Sequence, residues 1–360
     1  MRRVELGVFM PVGSNGFLMS KAAPRYAPTF ALQREIAEIA EAIGLDYLFW
    51  MGKWMGFGGE TGFWQETIEP IGTAAAIAPL TRRLKLFSTI NPLLYHPAVA
   101  AKLIATVDQI SGGRFGINIV TGNTLEEIEQ MGLVPPGYGD YRYEYAQEWI
   151  EVVKQLWSQP RTDFDGRFFH LRGCVSDPKP ASRPYPTIVS AGLSDEGLAF
   201  AARHSDYQFV GLRAAEIRRV KQLAAEQGRS VQVVTSMLLL HGDTDAAARA
   251  RFETLRDNLD VAAVDNLVAS FERDGRESYK DRTAYLRAPT MIGFGAGHPV
   301  AGCPDSMAER LAELIVETGL DGVQFTFEDF PRDLRRFGEQ VLPKLKAALA
   351  RHDIATGAPA

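Results

Sequence analysis

The segment LKLFSTINPLLYHPAVAAKLIATVDQISGGRFGINIV, residues 84–120, contains one complete unit of the fold. Its two ends, 84–89 and 115–120, are short runs of branched and aromatic residues that predict β-strands. Between them, Pro97 at a helix start leads into 98–110, which we predict to be a helix. A strand, a helix and another strand in this order predict two parallel strands joined by a crossover helix.

The same alternation extends along the rest of the chain. The predicted strands are 4–9, 47–50, 84–89, 115–120, 187–191, 207–211, 231–240 and 322–327, and the predicted helices include 29–43, 68–77 and 142–157. Eight such units predict an α/β fold, a closed (β/α)8 TIM barrel, here as one domain over 1–360. Segments 164–186 and 256–298 interrupt the alternation and are predicted insertions that serve as binding loops. We expect the tail, 355–360, to be frayed.

Composition excludes several classes of protein. The chain has 360 residues, with 39 Lys plus Arg against 44 Asp plus Glu, so its net charge of −5 argues against nucleic-acid binding. Its two cysteines, Cys174 and Cys303, have neither disulfide nor zinc spacing and favour a reducing cytoplasm. The N-terminus lacks the pattern of a signal peptide, and no apolar run approaches about 18 residues, so we expect no membrane span.

Common catalytic motifs are absent from the sequence. It contains no G-x-G-x-x-G after a strand, no phosphate-binding P-loop, no H-E-x-x-H and no G-x-S-x-G. The six histidines show no ligand spacing, so we expect no metal site. His96 follows the third predicted strand at the catalytic end of a barrel, where a structural and a functional role both stay open.

Polar residues follow three predicted strands. Gly52 and Lys53 come after the second strand, Thr89 ends the third, and Asn118 lies near the end of the fourth. The carboxyl ends of parallel barrel strands meet at one mouth, so these residues are expected to converge there. Asn118 stands among apolar neighbours and is either a satisfied core amide or a group that faces the barrel interior.

A second group of residues suits an anion. Gly192 lets the backbone approach a ligand, and Ser194 stands at a predicted helix N-terminus, where free N–H groups and the helix dipole favour a phosphate. Arg142 and Tyr143 could supply a cation and a hydroxyl to it. The structural alternatives are an ordinary helix cap for Ser194, a solvated helix start for Arg142 and Tyr143, and a surface position for Glu127.

Three motifs carry a resemblance to a known family. SGGRFGINIVTG (111–122), GFGG (56–59) and SAGLSD (190–195) resemble the bacterial luciferase-like flavin-dependent monooxygenases. Within that superfamily the chain most resembles the pyrimidine (uracil) monooxygenases, and next the dimethylsulfone and alkanesulfonate monooxygenases. The similarity extends over about 4–345, which implies the TIM barrel of the luciferase-like type.

The resemblance implies a two-component monooxygenase. Reduced FMN would come from a separate NAD(P)H-dependent flavin reductase and react with dioxygen, and the resulting flavin peroxide would cleave a small planar nitrogen heterocycle or a cyclic amide such as uracil. It also implies a homodimer or homotetramer. The implied cofactor contacts are Gly52, Lys53, Asn118, Glu127, Arg142, Tyr143, Gly192 and Ser194, and the implied dioxygen-binding residues are Thr89 and Asn118.

Two departures from the family pattern leave the substrate open. Asn123 stands where the pyrimidine and sulfone enzymes have a Trp, which removes a large flat wall, and His96 replaces a Pro of the pyrimidine enzymes. An organosulfur substrate is one alternative. A flavin- or deazaflavin-dependent reductase and a non-catalytic flavin-binding protein are others, although a hydride-transferring enzyme has no need of a dioxygen pocket.

Overall fold

Eight parallel strands close into a barrel. The computed structural model describes residues 2–122, 124–274, 283–284, 286–288, 290–293 and 299–357. The strands that form the barrel are β1 (Arg2–Phe9), β2 (Tyr47–Trp50), β3 (Lys85–Ile90), β4 (Phe115–Ile119), β7 (Thr187–Ser190), β8 (Tyr207–Phe209), β9 (Gln232–His241) and β11 (Gly322–Phe327). They pair in this order, and β11 returns to β1. The predicted (β/α)8 barrel is therefore confirmed.

The other elements surround this barrel. The helices are α1 (Phe30–Ile43), α2 (Pro70–Ile77), α3 (Pro97–Ser111), α4 (Glu126–Glu129), α5 (Tyr138–Ser158), α6 (Asp195–His204), α7 (Ala214–Glu226), α8 (Asp245–Asp257), α9 (Val261–Asp274), α10 (Pro304–Thr318), α11 (Phe330–Arg336) and α12 (Leu342–Ala350). The remaining strands are β5 (Thr162–Asp165), β6 (His170–Cys174), β10 (Val300–Gly302) and β12 (Ile354–Thr356).

Local chemistry sets the ends of these helices. Thr29 caps α1 by accepting from the Leu32 N–H at 3.3 Å, and Gly44 ends the helix in the left-handed conformation at φ 79°. Pro97 is the first residue of α3, where its missing N–H costs no helical hydrogen bond. The sequence pattern therefore located these boundaries to within two residues.

The structure differs from the sequence prediction in three places. Helix α5 begins at Tyr138, so Arg142 lies one turn inside the helix and not at its start. The predicted frayed tail is wrong for its first residues, because β12 pairs in parallel with the beginning of β1. The 164–186 segment is partly ordered by the antiparallel β5–β6 hairpin. The single domain and its insertions stay predictions, and part of 256–298 lies outside the described residues.

Three side chains bond to one another at the N-terminal end of the barrel. The Lys85 ammonium donates to Glu5 Oε1 at 2.7 Å and to the Tyr207 hydroxyl at 2.8 Å. That hydroxyl donates to Glu5 Oε2 at 3.0 Å. Burial, and then the Glu5 carboxylate, raise the pKa of Tyr207 well above its ordinary value, so its phenol stays protonated. The three groups form a closed ring of hydrogen bonds from β1, β3 and β8.

Candidate active site

Thr89 and Asn118 form a polar pair at the C-terminal end of the barrel. They are paired in the β3–β4 register, and the Asn118 amide donates to Thr89 Oγ1 at 2.9 Å. Asn118 is 3% exposed, and its Oδ1 has no hydrogen-bond partner among the described residues. Gly52 packs on this pair, since a Cβ added there would lie 3.4 Å from Thr89 Cγ2. The Thr89 hydroxyl accepts from Asn118, so its own proton is available to a ligand.

Lys53 and Glu127 form a buried ion pair beside this first group. Lys53 Nζ lies 2.9 Å from Glu127 Oε1 and donates to Thr124 Oγ1 at 3.1 Å. The other carboxylate oxygen accepts from the Trp54 N–H at 2.8 Å. Burial lowers the pKa of Lys53, and the negative charge of Glu127 opposes that shift. The sequence predicted both residues as separate cofactor contacts, whereas the structure bonds them to each other.

A pocket of about 430 Å³, part of which is open to solvent, brings three of the predicted residues together. The residues that line it are Gly52, Trp54, Glu69, Thr89, Asn91, Leu94, Tyr95, Val120, Glu127 and Ile128. Glu69, Tyr95 and Thr124 were missed by the sequence analysis. Glu69 could have been found from its position before Pro70, because its carboxylate caps α2. For Thr124 the sequence offers only its spacing of three residues from Glu127.

The remaining predicted residues form a second group at α6 and α5. Ser194 caps α6 by accepting from the Gly197 N–H at 3.2 Å. A Cβ at Gly192 would lie 2.2 Å from the Tyr143 hydroxyl, so only glycine fits against that ring. Arg142 is 7% exposed, and its Nη1 has no partner in the described part of the chain. The Arg142 guanidinium lies over the Tyr143 ring, with 5.2 Å between Cζ and the ring centroid, and the Tyr143 hydroxyl adjoins the α6 N-terminus at Gly192 and Gly197, so this region is chemically suited to an anion.

Both groups follow the carboxyl ends of barrel strands. Gly52 follows β2, Thr89 and Asn118 lie one residue before the ends of β3 and β4, and the Gly192 segment follows β7. They therefore share the end of the barrel where catalytic groups collect.

His96 has a structural position in this fold. Its Nδ1 accepts from the Ala98 N–H at 3.3 Å, so it caps α3, and its exposed ring meets Phe169 edge-on at 5.6 Å. The Asn123 departure lies outside the described residues. Among the described residues, no cluster of three metal-ligating side chains occurs. In the same part of the chain, no helix has the length and apolar character needed to cross a bilayer.

Comparison with known proteins identifies the family. Residues 4–322 match the luciferase-like monooxygenases. The chain belongs to that family. The family and the enzyme class predicted from the motifs, a flavin-dependent monooxygenase, are thereby confirmed. The luciferase-like assignment also agrees with the closed parallel barrel and its polar mouth.

Relatives and solved structures extend this likeness over almost the whole chain. Pyrimidine monooxygenase RutA of Acinetobacter baylyi is 35% identical over 363 residues, covering 98% of this chain and 96% of the relative. The protein of that name from Escherichia coli (strain SMS-3-5) is 36% identical over 353 residues, covering 95% and 96%.

Two solved structures show the same fold. Riboflavin lyase (RcaE) has a TM-score of 0.86 at 23% identity, covering 100% of this chain and 94% of that one. EDTA monooxygenase (EmoA) from Chelativorans sp. BNC1 has a TM-score of 0.80 at 24% identity, covering 96% and 94%.

Proposed function

We propose that this luciferase-like monooxygenase uses reduced FMN and dioxygen to cleave a small planar nitrogen heterocycle or a cyclic amide such as uracil. The observation that carries the proposal is the Thr89–Asn118 pair beside Gly52 at the barrel mouth. The relatives that are 35–36% identical over nearly the full length bear the name pyrimidine monooxygenase, which supports this substrate class.

The chain's polar groups fit a flavin mononucleotide. The N-terminus of α6 offers free N–H groups, and the buried Arg142 Nη1 lacks a partner within the described ranges, so this side suits the phosphate. Gly192 lets the Tyr143 hydroxyl approach the backbone at a distance that any Cβ would block. Gly52, Lys53, Asn118 and Glu127 would hold the rest of the cofactor. The solved riboflavin lyase, which shares the fold, contains a modified FMN.

The protein's own contribution is positioning and charge stabilisation. Bound reduced FMN would supply the electrons that activate dioxygen. The Thr89 hydroxyl and the Asn118 amide would provide neutral hydrogen-bond donors where negative charge develops, without a strong acid nearby. The buried Lys53–Glu127 pair fixes the loop after β2 against α4, which keeps Gly52 in place beside Thr89. The apolar side chains of the lining, Leu94, Val120 and Ile128, would help to exclude water once the ligands are bound.

The cofactor cycle defines the proposed partners. A separate NAD(P)H-dependent flavin reductase would deliver reduced FMN, and the enzyme would act as a homodimer or homotetramer. We assign it to the cytoplasm because Cys174 and Cys303 are both free thiols, which a reducing compartment maintains.

An oxygen-dependence assay tests this proposal. Purified protein is mixed with photoreduced FMN and uracil, without any reductase, in air and under argon, and the products are followed by mass spectrometry with oxygen-18. We expect labelled ring-opened product in air only. Equal product in both atmospheres would contradict the oxygenase and favour hydride transfer. Labelled product from a sulfone, with none from uracil, would assign the organosulfur substrate.

A further inference from the structure

Two polar side chains on β11 are buried without partners. Gln324 and Thr326 are both 0% exposed, and the Gln324 amide nitrogen, the Gln324 amide oxygen and the Thr326 hydroxyl make no hydrogen bond to any described residue. Burying such groups unpaired costs free energy, so native proteins reserve them for a ligand, a bound water or a functional state. Neither residue has a role in the proposed cofactor site.

Strand geometry directs both side chains into the barrel. Phe325 and Phe327 contact the ring of Phe337 in the outer helical layer, at centroid distances of 4.8 and 6.3 Å. Successive side chains of a strand point to opposite faces. Gln324 and Thr326 therefore face the interior, as Thr89 and Asn118 do on the other side.

The strand register sets their height in the barrel. Trp50 pairs with Ser88, Phe9 with Phe49 and Val8 with Phe325. The strands of a barrel are tilted relative to its axis. With eight strands and a shear number of eight, residues at equal height along the axis are therefore offset by about one residue per strand from the residues that pair in the sheet. Position 325 is consequently level with Thr89, and Gln324 and Thr326 flank that level three strands away.

The neighbouring interior surface is apolar and aromatic. On the inward faces of β1, β2 and β8, the Phe9 ring centroid lies 5.5 Å from that of Phe49 and 6.3 Å from that of Phe209. The rings of these two pairs are inclined by 85° and 50°, so a planar ligand beside them would meet ring edges as well as ring faces. Polar groups on two sides and aromatic rings between them are the features expected of a pocket for a flat, polar heterocycle.

We propose that Gln324, assisted by Thr326, recognises the –CO–NH– edge of a cyclic amide held opposite Thr89 and Asn118. A primary amide presents one donor and one acceptor side by side, which match the C=O and N–H of a cis amide, as Gln pairs with a base edge in nucleic-acid recognition. The inference rests on the proposed function and deepens it, since it names the substrate group that is bound and the residue that binds it.

Gln324→Met tests the inference, because Met has nearly the same length and shape but no amide. The probes are uracil, 1-methyluracil, 3-methyluracil and δ-valerolactam. Binding is measured by calorimetry with oxidised FMN present, which cannot support oxygenation, and turnover with photoreduced FMN in air. We expect Gln324→Met to weaken uracil binding and raise KM roughly 10- to 100-fold, with kcat at saturation nearly unchanged. Discrimination against at least one N-methylated probe should be lost with the amide.

Two further variants keep the result interpretable. Thr326→Val removes the assisting hydroxyl with little change of shape and should raise KM about 3- to 10-fold. Tyr207→Phe removes an inward polar atom at the opposite end of the barrel and should leave KM unchanged. Thermal unfolding of all variants separates loss of fold from loss of recognition.

The outcomes distinguish this inference from the proposed function. Uracil binding that depends on Gln324 without any oxygenated product would leave the inference standing and contradict the proposed function. Oxygenation of uracil with unchanged KM and unchanged methyl discrimination in Gln324→Met would overturn the inference alone. Failure of wild-type protein to bind any of the four probes would overturn it as well.

Discussion

The two ends of the barrel treat buried polar groups in opposite ways. At the N-terminal end, Lys85, Glu5 and Tyr207 satisfy one another in a closed ring, although the Tyr47 hydroxyl and the Thr356 hydroxyl on β12 are buried there without partners in the described residues. At the C-terminal end, partners within the described residues are missing for Asn118 Oδ1, Arg142 Nη1, Gln324 Oε1 and Nε2, and Thr326 Oγ1.

This difference separates the polar groups that contribute to stability from those that contribute to catalysis. In parallel barrels, polar groups at the N-terminal face contribute mainly to stability, and those at the C-terminal face contribute to catalysis. A group that already has its partners gains less from a ligand, whereas an unpaired one stabilises the ligand that satisfies it. Substitutions at the two ends should therefore separate activity from stability.

The largest effect is expected at Thr89 and Asn118. Thr89→Val and Asn118→Leu each remove a hydrogen-bond donor from the proposed dioxygen site, so oxygenation should fall by roughly 100-fold or more. FMN affinity should stay within about tenfold, because neither change touches the α6 anion site. The measurements are product formation with photoreduced FMN in air and fluorescence titration of FMN.

Thr89→Ser is the matched control, since it retains the hydroxyl and loses only a methyl group. It should keep most of the activity. Full oxygenase activity in either Thr89→Val or Asn118→Leu would show that the pair is structural.

An intermediate effect is expected at the α6 N-terminus. Ser194→Asp keeps a good helix cap but places a negative charge beside the proposed phosphate position, so FMN should bind about tenfold more weakly. Ser194→Asn has nearly the same shape and no charge, and its affinity should remain close to that of the wild type. Equal FMN affinities for the Asp and Asn variants would rule out this helix end as the phosphate site.

The smallest effect is expected at the N-terminal end. Tyr207→Phe removes one hydroxyl while Lys85 and Glu5 stay bonded, so the free energy of unfolding should fall by about 1 kcal/mol. Denaturant unfolding measures this change. Turnover and KM should not move, and a change in either would show that the two ends are coupled.

The barrel could be predicted from the sequence because strands and helix ends are recognised from residues that are close together in the chain. Each strand is a short run rich in apolar residues, and several helices begin at a recognisable cap such as Thr29 or Ser194. The adjacency of Thr89 and Asn118 also followed, since both end neighbouring strands. Local patterns could not show that Lys53 and Glu127 pair, because that contact joins the loop after β2 to α4, and the two residues are 74 positions apart in the sequence.

Gln324 shows a second property that could not be predicted from the sequence. A polar residue in the apolar run of β11 is visible in the sequence, yet its significance depends on whether partners surround it. Gln208, equally buried on β8, donates to the Gly192 carbonyl at 2.8 Å and bonds Ser190, so it is a satisfied structural amide. Only the three-dimensional neighbourhood separates these two glutamines.

Positions near the α6 N-terminus and positions in the 430 Å³ pocket differ in how well they should tolerate substitution during enzyme engineering. Gly192 and Gly197 both press against the Tyr143 hydroxyl, so a larger residue at either position would have to displace Tyr143. Trp54 and Leu94 line the pocket with side chains that carry neither the buried ion pair nor the Thr89–Asn118 bond. Directed evolution toward bulkier substrates should begin by randomising these two codons together.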